Sequence, residues 1–369
     1  MKKIHVLMAL LAVSFATASF AQSTVTLYGV VDTGVEYITH TTNGALARFP
    51  TISGGDLPSR WGLKGQEDLG GGLKSIFALE SGFTPMNGTS LQSGREFGRQ
   101  SYVGLASPWG QVTMGRQINM TLLGMSSADI MGPSAISMGS FDGYLSAARA
   151  DNSIAYLGKF SRFTLGATYS LGRDTQAAGN CGTIIGDSVA CRAITAMLKY
   201  DDTRWGTALI YDEQRGGPGA VPIGVIPGAP GLAVSDSGAT DRRYQVNGYL
   251  MFGRVKVAGG WIHRQINGDI QHVHTDLTYL ATSVPYAAWV FDLAMSHISD
   301  HDLSANGTLF EARANYNLSK RTAVYALTGI MRNSGKNAIY SVSSSSLAAA
   351  VAPAGVSQEE VMVGIRHLF

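Results

Sequence analysis

The chain has 369 residues, of which 45% are hydrophobic and only 15% charged, with 28 lysines and arginines against 26 aspartates and glutamates. So even a balance offers no electrostatic footprint for nucleic acid or for a charged membrane surface. The 45 glycines and 11 prolines come without a Gly-X-Y period, and aromatic and β-branched residues recur throughout, which excludes a collagen-like or disordered chain.

Residues 1–21 open with Lys2 and Lys3, run apolar from Ile4 to about Ala18, and end on Ser19-Phe20-Ala21, with small residues where a signal peptidase reads. Cleavage after Ala21 is expected, leaving residues 22–369 as the exported chain. A membrane anchor fits less well, because Ser14, Thr17 and Ser19 interrupt a run already short of about 20 apolar residues. No second helix-length apolar run follows, and the mean hydropathy is +0.08. A soluble protein has such a value, and so does a transmembrane barrel, whose lipid-facing and lumen-facing residues alternate.

From Ser23 to Tyr37, Val25, Leu27, Val31, Val35 and Tyr37 alternate with Thr26, Tyr28, Asp32 and Glu36, the pattern of a long strand with one apolar and one mainly polar face. After a polar stretch to about Asp56, Trp61 and Leu63 point one way and Arg60, Lys64 and Gln66 the other. Asp68-Leu69-Gly70-Gly71-Gly72 reads as a tight turn in which glycine supplies positive φ. Leu73, Phe77 and Leu79 then return on one face, with Lys74 and Glu80 on the other.

The same alternation continues through Phe97 to Gln117, Phe163 to Ser170, Trp289 to Ser296 and Phe310 to Asn317. No amphipathic helix is as clear. Short connections near Asp68 to Gly72, Ser107 to Gly110, Lys159 to Arg162, Asp201 to Trp205, Phe252 to Arg254, Val284 to Ala287 and Asn317 to Arg321 alternate with long ones. The long ones lie near 38–56, 84–96, 118–148, 172–192, 215–242, 266–273, 299–306 and 334–355. Eight long loops and seven short turns join sixteen strands. The expected fold is all-β, a sixteen-stranded antiparallel transmembrane barrel with short periplasmic turns, long extracellular loops and an aqueous lumen.

A β-sandwich or propeller would have shorter strands and no reason for connections to alternate in length. Tyr28, Tyr37, Trp61, Tyr169, Tyr211, Trp261, Trp289, Tyr316 and Tyr325 fall near strand ends or apolar faces, as interfacial girdle residues would. Cys181 and Cys191, ten apart, read as a disulfide closing one loop and contributing about 2–3 kcal/mol. A metal or redox role needs further ligands. Near the other end Val361, Val363, Ile365 and Phe369 share a face opposite Arg366, and so apolar a strand requires a partner along its length. The first strand is available.

Five segments then carry a resemblance. Ser23 to Gly29 (STVTLYG), Ser59 to Gly82 (SRWGLKGQEDLGGGLKSIFALESG), Phe97 to Gln117 (FGRQSYVGLASPWGQVTMGRQ), Arg149 to Tyr156 (RADNSIAY) and Val363 to Phe369 (VGIRHLF) resemble the trimeric general porins of Gram-negative bacteria, in particular the beta-proteobacterial type. The resemblance spans residues 22–369. It implies a homotrimer of barrels in outer-membrane lipid and lipopolysaccharide, each with its own channel for small hydrophilic solutes and anions. No cofactor, metal or nucleic acid is implied. It also implies a third long loop, about 118–148, folded inward to narrow the pore, and an ending on Phe369 that closes the barrel and is read by the outer-membrane assembly machinery.

By the same resemblance the basic cluster of the pore wall falls on Arg60, Arg99 and Arg149. Strand parity agrees independently, with Arg60 opposite in phase to Trp61 and Leu63 and Arg149 opposite in phase to Ile154 and Tyr156. Arg116 is a further candidate whose direction stays open, because Val112 and Met114 share its parity. Asp129 and Asp142 are the acids of the constriction loop, and Lys64, Lys74 and Glu80 line the wall. Arginines facing two aspartates across a narrow pore create a transverse field and mild anion selectivity. The family's Pro-Glu-Phe-type acidic loop tip is absent, and the cysteine pair is not a general family feature.

Two other functions compete with a general porin. A substrate-specific channel would share the architecture, with loop residues deciding. An outer-membrane hydrolase would draw on His297 with Ser299-Asp300-His301-Asp302, or on His263, His272 and His274. It lacks a Gly-x-Ser-x-Gly elbow or an H-E-x-x-H helix. His272-Val273-His274 could face a metal from one strand, but no third ligand is assigned.

Overall fold

The structure is a computed structural model that describes residues 23–50, 55–141, 148–172, 181–182, 184–344 and 350–369. The leader expected at residues 1–21 lies outside the described residues. The first part of the sheet runs β1 (Thr24–Thr41), β2 (Gly44–Arg48), β3 (Arg60–Gly70), β4 (Leu73–Gly82), β5 (Gln100–Ser107), β6 (Gly110–Ile118), β7 (Arg149–Phe160), β8 (Phe163–Ser170) and β9 (Ala193–Asp201). It continues through β10 (Trp205–Arg215), β11 (Thr240–Phe252), β12 (Val255–Asn267), β13 (His272–Tyr286), β14 (Trp289–Asp300), β15 (Asn306–Asn317), β16 (Thr322–Ser334) and β17 (Gln358–Leu368).

Every neighbouring pair is antiparallel, and β1 closes the ring. Its first half pairs with β3, through Leu27 opposite Leu63, and its other edge pairs with β17, through Thr33 opposite Ile365 and Val35 opposite Val363. The short β2 only extends the far end of β1, so sixteen strands make the barrel. Closure removes the sheet edge, and with it the unpaired backbone groups that lipid cannot satisfy. Among the described residues no helix is long and apolar enough to cross a membrane; the strands do so.

Period-two alternation decides what each strand shows to lipid. In β1, Val25 and Leu27 are 65% and 57% exposed while Asp32 and Glu36 are fully buried. The turn between β3 and β4 needs its glycines: Gly70, Gly71 and Gly72 have φ of +86°, +62° and +83°, and Asp68 Oδ1 accepts the Gly70 N–H at 2.9 Å. Phe369 exchanges both backbone hydrogen bonds with Gly29, each 3.1 Å.

Two of the nine expected girdle residues point inward instead. The Tyr28 hydroxyl donates to Glu80 Oε2 at 3.0 Å, and the Tyr325 hydroxyl donates to Asp32 Oδ1 at 2.5 Å. Both rings stand in the inward phase of their strands, and the hydroxyl finds a carboxylate there.

The barrel interior differs from a uniformly polar lumen. Inward positions in the extracellular halves of β10 to β16, among them Ile210, Ile262, Ile266, Leu277, Ile298, Leu309 and Met331, are no more than 5% exposed. Parts of three long connections fold in over them: Met120, Met125, Met131 and Phe141 from residues 119–141, Ile223 and Val225 from 216–239, and Tyr340 and Val342 from 335–344. Burying each such side chain contributes about 2 kcal/mol. Phe141 meets Tyr340 edge to face at 5.1 Å, joining the third long loop to the last.

Candidate pore constriction

The third loop leaves β6 along the inner wall. Asn119 caps the helical turn Met120–Met125 by accepting the Leu122 N–H, and Met120 N–H is held by Thr195 Oγ1 at 3.1 Å. A Cβ at Gly124 would lie 2.4 Å from Ile210 Cγ1, so a bare backbone is required there. Three basic side chains then clasp the loop. Lys199 Nζ donates to Ser127 Oγ, Lys256 Nζ to the Ser127 carbonyl, and Arg313 Nη2 to the Ile130 carbonyl at 2.7 Å. The loop thus lies on the β8–β15 side, and the remaining lumen is bounded by the opposite wall.

That wall carries the expected arginines. Arg60 opens β3, Arg99 precedes β5 and Arg149 opens β7, all at extracellular strand ends, with Glu80 of β4 among them. Arg99 Nε lies 2.6 Å from Glu80 Oε1, and Arg60 Nε lies 3.7 Å from Glu80 Oε2. Arg149 is within electrostatic reach of Arg60, Arg99, Arg116 and Glu80. Its phase is not carried back from Ile154, because Asn152 takes φ of +45° and the β6–β7 register shifts between Gly115 and Gln117. Arg116 sits in that bulge, where Nε donates to the Gly98 carbonyl at 2.7 Å and Nη1 pairs with Asp151.

Glu80 is an acid of the arginine cluster itself, not only a wall residue. Asp129 accepts the Gly132 N–H at 2.8 Å and lies on the far side, beside Glu311 and Tyr279. Asp142 lies outside the described residues. Lys64 Nζ stands 5.3 Å from the centre of the Tyr28 ring, and Lys74 lies opposite Asp68 in the β3–β4 register.

A second charged group, which the sequence reading did not single out, covers the other side. Asp56 receives Arg313 Nη1 at 2.7 Å and also pairs with Arg366, while Arg313 Nη2 reaches Asp292 Oδ2 at 2.8 Å. With Asp129 and Lys256 these residues bound a polar cavity of about 380 Å³. Parity had placed Arg313 and Arg366 opposite the apolar faces of their strands; what linked them to Asp56 was closure of the ring. Cys181 and Cys191 are joined, with Cα atoms 5.2 Å apart. His263, His274 and His301 lie on the outside of the barrel, and the described residues hold no group of three or more His, Cys, Asp or Glu placed to bind a metal.

A barrel of this strand number with an inward third loop is matched at the level of sequence as well. Residues 7–336 fit the family model described as Gram-negative porin. The chain belongs to that family. An outer membrane porin protein of Bordetella pertussis is 37% identical over 277 residues, which is 70% of this chain and 68% of the relative. Outer membrane porin protein 32 of Delftia acidovorans is 31% identical over the full length of both. Among solved structures, an anion-selective porin from Comamonas acidovorans superposes with a TM-score of 0.77 at 27% identity, covering 94% of this chain and all of that one. The porin is accordingly an outer-membrane channel protein that crosses with β-strands, and the relatives it matches are porins, not enzymes.

Proposed function

We propose that this porin is a passive, mildly anion-selective channel for ions and small hydrophilic solutes, and that Arg60, Arg99 and Arg149 set the sign of its selectivity. The observation that carries this reading is the stoichiometry of the wall: three guanidinium groups surround one buried acid, Glu80, which pairs with Arg60 and Arg99 and acts on Arg149 only through its field. Low-dielectric walls focus that excess positive potential into the lumen, which concentrates anions. The similarity to a solved porin described as anion-selective supports the same sign. Lys64 and Lys74 add positive charge near the path and Arg116 is offset by Asp151, while Asp129 acts by anchoring the constriction loop. Asp142 is proposed as its second acid.

The working unit is proposed to be a homotrimer, exported with loss of residues 1–21, surrounded by lipid and lipopolysaccharide, and assembled with Phe369 as the recognised signal. Reversal potentials of purified channels in a salt gradient test the selectivity. Anion preference that falls in Arg60→Ala and Arg149→Ala is expected; cation preference in the unaltered channel, or no response to either substitution, overturns the assignment.

A further inference from the structure

Five of the eight histidines, His263, His272, His274, His297 and His301, gather at the extracellular ends of β12, β13 and β14. Their direction follows from their neighbours. Ile262, Arg264, Val273, Thr275, Leu277, Ile298 and Asp300 alternate with them along the strands and are buried inside the barrel. The histidines therefore face outward. Trp261 stands level with His297, and directly below, toward the membrane centre, Leu280, Leu293 and Met295 are exposed and apolar. The cluster thus stands where the hydrocarbon-facing band ends and lipid headgroups begin.

Asp276 organises the cluster. Its Oδ1 accepts from Trp261 Nε1 at 2.7 Å and meets His263 Nδ1 at 2.9 Å, while Oδ2 meets His301 Nε2 at 2.8 Å. Asp302, in the loop after β14, meets His274 Nδ1 at 3.2 Å. The His274 backbone N–H at 2.7 Å is the first cause that holds Asp302 below the usual carboxylate range. His297 lies between Thr308 Oγ1 at 2.8 Å and Ser299 Oγ at 3.2 Å. On either side the belt continues: Glu213 pairs with Arg215 and Arg242, and Arg332 stands over the Phe310 ring at 5.4 Å.

Three arginines against Glu213, Asp276 and Asp302 leave the belt near neutral while the imidazoles are neutral. Imidazole is the side chain whose charge changes between about pH 5 and 8. Acidification therefore adds positive charge to the belt: His274 and His301, each fixed by a carboxylate, gain a second N–H to offer, while His263, beside Tyr244 and with Nε2 at 3.0 Å from Gln265 Nε2, contributes charge alone. We propose that His263, His274, His297 and His301, with Arg242 and Arg332, grip the phosphate-bearing headgroups of outer-leaflet glycolipid, and that the grip tightens as the medium acidifies. At the same height β8 and β9 present Tyr169, Leu171 and Ile194 outward, so the property belongs to one side of the barrel.

The inference rests on the outer-membrane location and not on ion selectivity. Full-length porin in detergent is titrated with a bisphosphorylated lipid A and with the same lipid stripped of phosphate, at about pH 7.5 and about pH 5.5. Affinity for the phosphorylated lipid is expected to rise by about tenfold or more at the lower pH. The stripped lipid should show no rise, and excess inorganic phosphate should leave the complex intact. A variant with His263, His274, His297 and His301 all changed to Gln should lose the rise while keeping its conductance. Equal rises for both lipids, a rise that survives in that variant, or displacement by free phosphate each overturn the proposal. The two-lipid comparison on the unaltered protein decides even if the variant does not fold. Loss of binding with conductance intact counts against this inference alone, whereas absence of conductance in the unaltered protein counts against the channel.

Discussion

Arg99 Nε sits 2.6 Å from Glu80 Oε1, and the same carboxylate takes the Tyr28 hydroxyl and faces Arg60. One acid therefore restrains a cluster whose other members carry the same sign. Glu80→Gln removes that charge and keeps the shape. The anion preference should increase, read as a shift of the reversal potential in a salt gradient. Stability should fall by about 3 kcal/mol, because a largely desolvated guanidinium loses its counter-charge, and the heat-modifiable band on denaturing gels should convert at a lower temperature.

Arg60→Ala and Arg149→Ala act in the opposite direction. Each deletes one of three positive groups on the wall, and the double variant should lower the anion-to-cation permeability ratio by about two- to threefold. Lys74→Ala serves as the comparison: it lies near the turn at the other end of the barrel, opposite Asp68, and should change the ratio far less. Equal effects from Lys74 and Arg149 would show that net charge, not the constriction, sets selectivity.

The ring closure and the turns were legible because both rest on local rules. Alternation marked Val361, Val363 and Ile365 as lipid-facing, and three consecutive glycines marked the β3–β4 turn. Alternation also assigned Glu80 to the inward face, but its pairing with Arg99 depends on the β4–β5 register, which is not a local property. Where both faces are apolar, as at Trp261 and Ile262, period two cannot say which side meets lipid and which meets a folded-in loop. The phase at Arg149 was hidden by the left-handed Asn152. The contacts of Asp129 were hidden for a related reason: a loop's charge can be counted from sequence, but its direction is decided by Lys199, Lys256 and Arg313, which come from three distant strands.

Those three residues make the position of the constriction loop testable. Lys256→Met leaves the Ser127 carbonyl without its charged donor while keeping the hydrophobic stem. Single-channel records should show more frequent substates and current noise, with little loss of stability. Arg313→Met is different, because it strands the buried Asp292 and leaves the buried Asp56 with Arg366 alone, and it should cost about 3–5 kcal/mol in addition to loosening the loop. Quiet records from both variants would show that apolar packing around Met120 and Met131 holds the loop by itself.

The seam offers the last test. Phe369 places its ring over the bare Cα of Gly29, so that a Cβ there would lie 2.4 Å from Phe369 Cζ, while the two residues exchange backbone hydrogen bonds at 3.1 Å. Gly29→Val therefore forces the ring away without removing it, and Phe369→Ala removes the ring without disturbing the ladder. If the ring serves mainly to seal the seam, both variants should reach the membrane in reduced but similar amounts, each destabilised by about 2–4 kcal/mol. If it is also the feature read during assembly, Phe369→Ala should lose far more membrane-inserted protein than Gly29→Val. The channels that form in Phe369→Ala should conduct normally, whereas Gly29→Val, whose Cβ also meets the Arg60 carbonyl at 2.7 Å, should shift the ion preference as well. Insertion levels that follow stability alone would leave Phe369 a seam residue and remove it from the assembly signal.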